Sequence, residues 1–400
     1  MTITNAKVRT AAIIGGGVAG PVTAMALRRA GIEATVFEAY AHGAEGVGSF
    51  LTVAVNGQRA LRELDLLDLV QQHGFDCPRF EFVSGKGKPL GGFPAAPESL
   101  KDGLTSRTLR RTDLYTALRD EALHRGVPVE YGKRLVNAER TRDGVTAVFA
   151  DGSRFTADIL VGADGLLSRT RELIDPAAPK PRYVPLLNTG GFTRASVPGD
   201  PGTMVMYFGR DAFFCHMLDP QGVVWWFANI PQVRELTPAE LAAITPEQWR
   251  KRLVDTFAVD ETPAQAIVEA TEQIAQPWNT YDFPSVPNWH NDRMVLVGDA
   301  AHAASPTSGQ GASLAVEDAL VLAKSLRDEP NATAAFSAYV GQRRDRVERI
   351  VAQAKKLSSD KMPGPIGRII RDIALPIVFA KRAKSGGDDW VLTHEIRWAA

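Results

Sequence analysis

The sequence predicts an α/β protein: a parallel-sheet domain interrupted by a β-rich insert and followed by a helical tail. Three observations carry that prediction. Residues Arg9–Ile14 form a short apolar run ending in glycines, Val22–Ala30 has helical composition, and Glu33–Glu38 is a second β-branched and aromatic run. Together they make a βαβ unit of about 30 residues. From Tyr183 to Pro231 the chain is instead rich in aromatics and strand formers, as in MVMYF at Met204–Phe208 and VVWWF at Val223–Phe227. A strand, a glycine-bearing loop and a helix then return over Arg293–Leu326.

The other elements follow in order. Gly31 closes the first helix. Apolar residues near helical spacing predict helices over Asn56–Gln72 and Arg111–His124. Val129–Ala150 reads as strands joined by the turn residues Arg142-Asp143-Gly144, with another turn at Asp151-Gly152. A strand over Asp158–Val161 runs into Gly162-Ala163-Asp164-Gly165. After Asp175, PAAPKPRYVP is a connector, because proline removes backbone donors. Pro238–Ala275 turns helical, as does the chain beyond Ala332 apart from a break at Pro363-Gly364-Pro365. The expected parts are 1–175 with 280–330 for the parallel-sheet domain, 176–279 for the insert and 331–400 for the tail.

Composition narrows the function. Lys plus Arg total 46 and Asp plus Glu total 46, so no basic surplus exists for a polyanionic partner and nucleic acid is not expected. Cys77 and Cys215 are too few for a disulfide framework or a four-thiolate metal site, and no metal is expected. The opening AAIIGGG is cut by glycine before a signal-peptide core can form. The late apolar run Ile373–Ala380 contains Pro376 and is far shorter than the roughly 18 residues that span a bilayer. The expectation is a cytoplasmic protein, monomer or homodimer, without a membrane.

Gly15-x-Gly17-x-x-Gly20 lies between the first strand and helix, with Glu38 ending the next strand. Glycines there allow a tight turn, close approach to a pyrophosphate and close helix packing, and the helix start favours the negative charge. A carboxylate about 20 residues on can bond a ribose hydroxyl pair, so Glu38 argues against a 2′-phosphorylated ribose in this Rossmann-type cleft. The segment RMVLVGDAAHAASPTSGQGASLAVED, Arg293–Asp318, places the carboxylate of Asp299 just after a buried strand and before a glycine loop and a helix start. That combination suits a polyol chain and an electron-rich ring carbonyl.

The ordered set of GxGxxG, GADG at Gly162–Gly165, and Gly298-Asp299 with Pro306 and Gly309-Gln310-Gly311 resembles the three fingerprints of the para-hydroxybenzoate-hydroxylase-like (group A) FAD monooxygenases. The resemblance spans nearly the whole chain and implies FAD in the amino-terminal cleft. It implies that Glu38 bonds the adenosine ribose, that Asp164 lies near the pyrophosphate and the reductant, and that Asp299 holds the ribityl chain. Arg111 of Arg111-Thr112-Asp113-Leu114 matches the family arginine near the flavin phosphate and ribityl region. With a flavin in place, the amides of Gly311 and Ala312 could stabilise negative charge at the reduced ring, and Pro306 would border its oxygen-reacting edge. The resemblance further implies NADPH or NADH as a transient co-substrate, O2, and a flavin C4a-hydroperoxide that oxygenates an electron-rich ring.

The insert concentrates Met204, Met206, Tyr207, Phe213, Phe214, His216, Trp225, Trp226 and Phe227. They favour a flat aromatic or polycyclic substrate, and strand alternation sends only half of them toward a cavity. Met204, Met206, Phe214, His216, Trp226 and Pro306 are the expected substrate contacts, with Trp226 preferred over Trp225. His216 and His302 are weak candidates for proton transfer, since packing alone satisfies many histidines. Two other readings stay open. Trp226-Phe227-Ala228-Asn229-Ile230-Pro231 is similar to the W-x-W-x-I-P stretch of flavin-dependent halogenases, but Ala228 replaces the second tryptophan, and Lys86 and Lys88 sit in a turn-like segment. A flavin-binding module without chemistry is the other.

Overall fold

The computed structural model describes residues 7–41, 50–97, 99–283, 285–303, 309–360, 365–385 and 389–399. Five parallel strands form the first sheet, in the order Met294–Leu296, Ile159–Gly162, Thr10–Ile14, Glu33–Phe37 and Val129–Glu130. Both of its faces are covered, which explains why its strands are continuously apolar. Ala11 and Ile13 face helices that include Ala19–Arg29, Arg111–His124 and Gly311–Asp328. Ala12 and Ile14 face an antiparallel sheet of Leu135–Arg140, Val145–Phe149 and Arg154–Ala157. The expected hairpin and the helix Arg111–His124 are thus present. The stretch Asn56–Gln72 is instead two helices, Val55–Glu63 and Leu67–Gln71, separated where Asp65 takes a left-handed φ of 55°.

A second sheet has seven strands, in the order Trp278–Asp282, Arg182–Thr193, Val224–Pro231, Phe213–Leu218, Met204–Phe208, Arg79–Ser84 and Pro89–Pro94. Its last two strands come from within 1–175, the stretch assigned by sequence to the parallel-sheet domain, so the insert completes its sheet with a hairpin from the amino-terminal half. The joint is the parallel pairing of Met204–Phe208 with Phe80–Ser84. Register pairs share a face, which sorts the aromatic residues into two sets. Val205, Tyr207, Phe214, Trp226 and Ala228 pack on one side against Trp249, Leu253, Phe257 and Ile267 of the helices that follow. Met204, Phe213, Cys215, Met217 and Trp225 pack on the other with Phe75 and Cys77.

A small three-stranded sheet of Phe50–Val53, Ser106–Arg110 and Phe75–Cys77 bridges the two larger ones. The tail is helical over Ala332–Asp360 and Pro365–Ser385. Tyr339 and Val347 of the first tail helix join the core beside the parallel sheet.

Candidate active site

The three glycine fingerprints meet at one edge. Gly15, Gly162-Ala163-Asp164 and Gly298-Asp299 follow the carboxyl ends of three adjacent parallel strands, and Glu38 follows the fourth. This is where open α/β sheets place ligands. Gly15 has φ of 109°, and a Cβ there would come within 2.3 Å of the Ala163 carbonyl oxygen. A Cβ at Gly20 would lie 1.9 Å from the Gly15 oxygen, so only glycine lets the helix approach the strand. Gly17 is different: a Cβ there would meet nothing within 4 Å. The cradle is therefore tight behind and open in front.

The helix that starts at Ala19 has no side-chain cap and no acidic residue in its first turn, which leaves its N–H groups and positive dipole end for an anion. Glu38 reaches back over this turn. Its Oε2 accepts the Gly16 N–H at 2.7 Å and its Oε1 accepts the Tyr40 N–H at 2.9 Å. Those bonds fix the carboxylate while leaving further lone pairs for a hydroxyl donor.

Asp299 is exposed at the start of the short helix Asp299–His302, and none of the hydrogen bonds found among the described residues ends on its carboxylate. Gly311 stands opposite, its Cβ position 3.9 Å from Asp299 Oδ1. The 18-residue helix Gly311–Asp328 likewise lacks a side-chain cap and first-turn acids. A carboxylate with no hydrogen-bond partner among the described residues, facing a helix start without a side-chain cap, fits a polyol chain leading to a ring that gains negative charge. On these observations the residues present fit FAD.

What holds Asp299 out is a buried ionic network. Asp318 Oδ2 accepts the Gly298 N–H at 2.9 Å and pairs with His302 Nε2, while its Oδ1 accepts Arg343 Nε at 2.7 Å. Glu317 accepts from Asn56 at 2.7 Å and from both Arg343 and Arg346. Burial alone would raise both acids. His302 and Arg343 instead hold the Asp318 carboxyl at about 2, and Arg343 and Arg346 do the same for Glu317. His302, a candidate for proton transfer by sequence, is thus buried within this network, with its ring 5.4 Å from that of Trp289.

Asp164 turns inward. It accepts from Ser168 Oγ at 2.5 Å and from the N–H and hydroxyl of Thr170 at 2.9 and 3.0 Å. Burial pushes its carboxyl up against these bonds. The guanidinium of Arg171, which sequence reading missed, ties this loop to the next by donating to the carbonyls of Leu166 and Ala300. Arg111 is exposed and donates to Tyr115 on its own helix at 2.6 Å. Gly309 has φ of 59°, and Pro306 lies outside the described residues.

On the insert side the expected substrate contacts separate. Met204 and Met206 lie on the face turned to the bridging sheet. Phe214, His216 and Trp226 do not: they belong to the helix-covered face, opposite Met204, Met206 and Trp225. Its indole is fully buried, donates to Thr271 Oγ1 at 2.9 Å and stacks on Phe214 at 5.4 Å. His216 stacks on Tyr207 at 5.6 Å, and burial lowers its pKa to about 4. The bridging face carries Trp225 and Phe227, with Phe50 5.8 and 5.9 Å from their rings. Arg110 stands 4.1 Å over Phe192 and 5.4 Å over Trp225. Phe50, Phe192 and Arg110 were missed. The RTLRRTDL run, with arginines ending an alternating segment, was the only signal available for Arg110.

Comparison with known proteins agrees with this geometry. Residues 7–354 match the FAD binding domain family. An FAD-dependent urate hydroxylase of Klebsiella pneumoniae is 30% identical over 351 residues, covering 86% of this chain and 88% of the relative. A 3-amino-4-hydroxybenzoate 2-monooxygenase of Streptomyces platensis is 30% identical over 380 residues, covering 91% and 92%. The crystal structure of Klebsiella pneumoniae HpxO complexed with FAD and uric acid superposes with a TM-score of 0.85 at 26% identity, covering 96% of this chain and 97% of the other.

Proposed function

The chain belongs to the FAD-dependent aromatic monooxygenases, and from that premise we propose that it uses NADH or NADPH and O2 to hydroxylate an electron-rich aromatic or polycyclic ring held on the Trp225 side of the seven-stranded sheet. The overall change balances as NAD(P)H, a proton, O2 and Ar–H giving NAD(P)+, water and Ar–OH. When bound, FAD supplies the two-electron chemistry and the activation of O2. The observation that carries the reading is the pairing of the exposed Asp299 carboxylate with the uncapped start of Gly311–Asp328 at the edge where all the fingerprints meet.

The chain's own residues bind, orient and shield. The N–H groups after Gly15 would hold the pyrophosphate, Glu38 the ribose and Asp299 the ribityl hydroxyls. The amides at Gly311 and Ala312, at the uncapped helix start, would offer N–H donors to negative charge on the flavin ring. Phe50, Phe192, Trp225, Phe227 and Met206 form an apolar wall that excludes water from the reacting ring, and Arg110 borders it with a positive charge. No side chain at this wall is assigned as a proton acceptor. Lys86 and Lys88 are exposed at the turn of the edge hairpin, which gives no support to a halogenase-type lysine beside the cofactor.

The test is turnover. Purified protein loaded with FAD is expected to oxidise NADH or NADPH faster with some members of a panel of phenols, nitrogen heterocycles and polycycles, and to give a product heavier by one oxygen derived from 18O2. Halide-dependent product, or a rate unchanged by every ring compound, would refute the proposal.

A further inference from the structure

The helix Pro365–Ser385 is inside out. The side it turns to the seven-stranded sheet holds Arg368, Arg371 and Phe379. Arg368 donates to the Arg210 carbonyl, and Arg371 donates to the Phe208 carbonyl with its guanidinium 4.8 Å over the Phe208 ring. Phe379 stacks on Phe82 at 4.6 Å. Ile369, Ile370, Ile373, Ile377 and Val378 are left outside, each between 54% and 67% exposed. The four isoleucines recur at one, four and eight residues, one side of a helical turn pattern. Among the described residues the other exposed large apolar side chains are scattered singly: Tyr40, Leu123, Val136, Leu167, Val233, Val259 and Trp278. Scattered singles need no explanation, whereas a continuous stripe marks a contact surface.

The charge of the same segment selects the partner. Arg368 and Arg371 are taken up against the sheet, Arg371 also pairing with the helix's single acid, Asp372, and the helix then ends in sequence on Lys381, Arg382 and Lys384 with no further acid, three positive charges within four residues of a chain whose formal charge is zero. Lys381 and Lys384 follow Ile377 at four and seven residues. Two copies of the helix would bring like charges together. A surface both apolar and anionic satisfies the stripe and the charge at once. No helix among the described residues is long and apolar enough to cross a membrane, so the contact is one that lies in the interface plane.

We propose that the helix Pro365–Ser385 attaches this protein peripherally to anionic lipid bilayers, its isoleucines entering the acyl boundary and its basic end meeting lipid phosphates. The proposal is independent of the catalytic reading, and its test needs no substrate. The full chain with bound FAD is expected to co-sediment with vesicles of phosphatidylcholine containing one third phosphatidylglycerol, to be released by raised salt, and to leave pure phosphatidylcholine vesicles unbound. Replacing Lys381, Arg382 and Lys384 by Gln should weaken vesicle binding about fivefold per charge. Ile373→Ser with Ile377→Ser should weaken it by about tenfold or more. Unchanged flavin absorbance shows that each variant is folded. If the isoleucine pair does not fold, the charge variant decides alone. Failure of the wild type to bind anionic vesicles, or equal binding to both vesicle types, overturns the proposal. So does a dimer in solution that the isoleucine variant converts to monomer, which assigns the stripe to a second copy.

Discussion

Trp225 and Trp226 are consecutive, equally large and both nearly inaccessible, yet they belong to opposite sides of one sheet. Trp226 is one layer of a closed core with Phe214, Phe257 and Trp249, and its single polar atom is satisfied by Thr271. Trp225 sits where the seven-stranded and bridging sheets meet, its indole N–H bonded to Asp219 at 3.0 Å, with Phe50, Phe75 and Phe192 around it and the Arg110 charge above. The helix-covered face is locked by complementary packing. The bridging face is made of rings and thioethers, many only partly buried, drawn from separate elements that can present a shaped wall. Aromatic density in a sequence therefore marks a strand pair, and the neighbouring elements decide how tightly each of its faces is packed.

The largest expected effect tests the core half of this contrast. Trp226→Ala should lower stability by about 3–5 kcal/mol, as expected for emptying a fully packed aromatic site. Chemical denaturation with intact flavin at the start measures it. Coupling of reductant to product in the surviving enzyme should stay near normal. If Trp226→Ala instead left stability unchanged and released peroxide, the two faces would have been assigned the wrong way round.

How far the contrast could be read from sequence depends on locality. The Gly15, Gly162 and Gly298 turns are demanded by backbone geometry within a few residues, so these turns were legible one by one, and the parallel sheet brings them to one edge beside Glu38 and Asp299. The seven-stranded sheet was legible as β-rich, but its parity was not. Nothing local to Val223–Phe227 says which side the helices of Pro238–Ala270 will cover. The edge hairpin was hidden for the same reason: Phe80–Ser84 pairs with Met204–Phe208, more than a hundred residues away. The Asp318–Arg343 ion pair joins two helices and cannot be inferred from either alone. The one available trace was the pair Glu317-Asp318 inside the apolar run ASLAVEDALVLA, since acids there must be paired when buried.

A smaller effect sharpens the contrast through pH. His216 lies on the helix-covered face, and burial lowers its pKa from 6.5 to about 4. The unfolded chain therefore binds a proton as pH falls below 6.5 while the folded chain does not until about 4. Stability from this group is fully present above pH 6.5 and is lost progressively down to about 4, on the order of 3 kcal/mol in all. Glu317 and Asp318, held at about 2, lose their contributions lower, below their ordinary values of 4.5 and 3.8. Denaturation midpoints from pH 7 to 4 should fall in the wild type and fall less in His216→Phe, which keeps a ring against Tyr207. Parallel curves would mean that His216 is charged in the folded protein, which is incompatible with a sealed core on that side.

The smallest expected effect on stability belongs to the bridging face, where a change in chemistry should appear instead. Phe227 is half-buried, and its ring lies 5.9 Å from Phe50 and 5.7 Å from Phe213. Removing it in Phe227→Ala should cost only about 1–2 kcal/mol, because part of its surface is already in contact with solvent. If this face walls the reacting ring, the same change admits water where oxygen transfer takes place. The variant should then raise the KM for substrate and increase hydrogen peroxide released per NAD(P)H by about twofold or more, with FAD content unchanged. Phe227→Leu, which restores apolar volume without the ring, should recover most of the coupling but less of the affinity. That split separates exclusion of water from stacking on the substrate. A Phe227→Ala enzyme with wild-type KM and wild-type peroxide release would remove the bridging face from the active site and leave the distinction between the two tryptophans as one of packing alone.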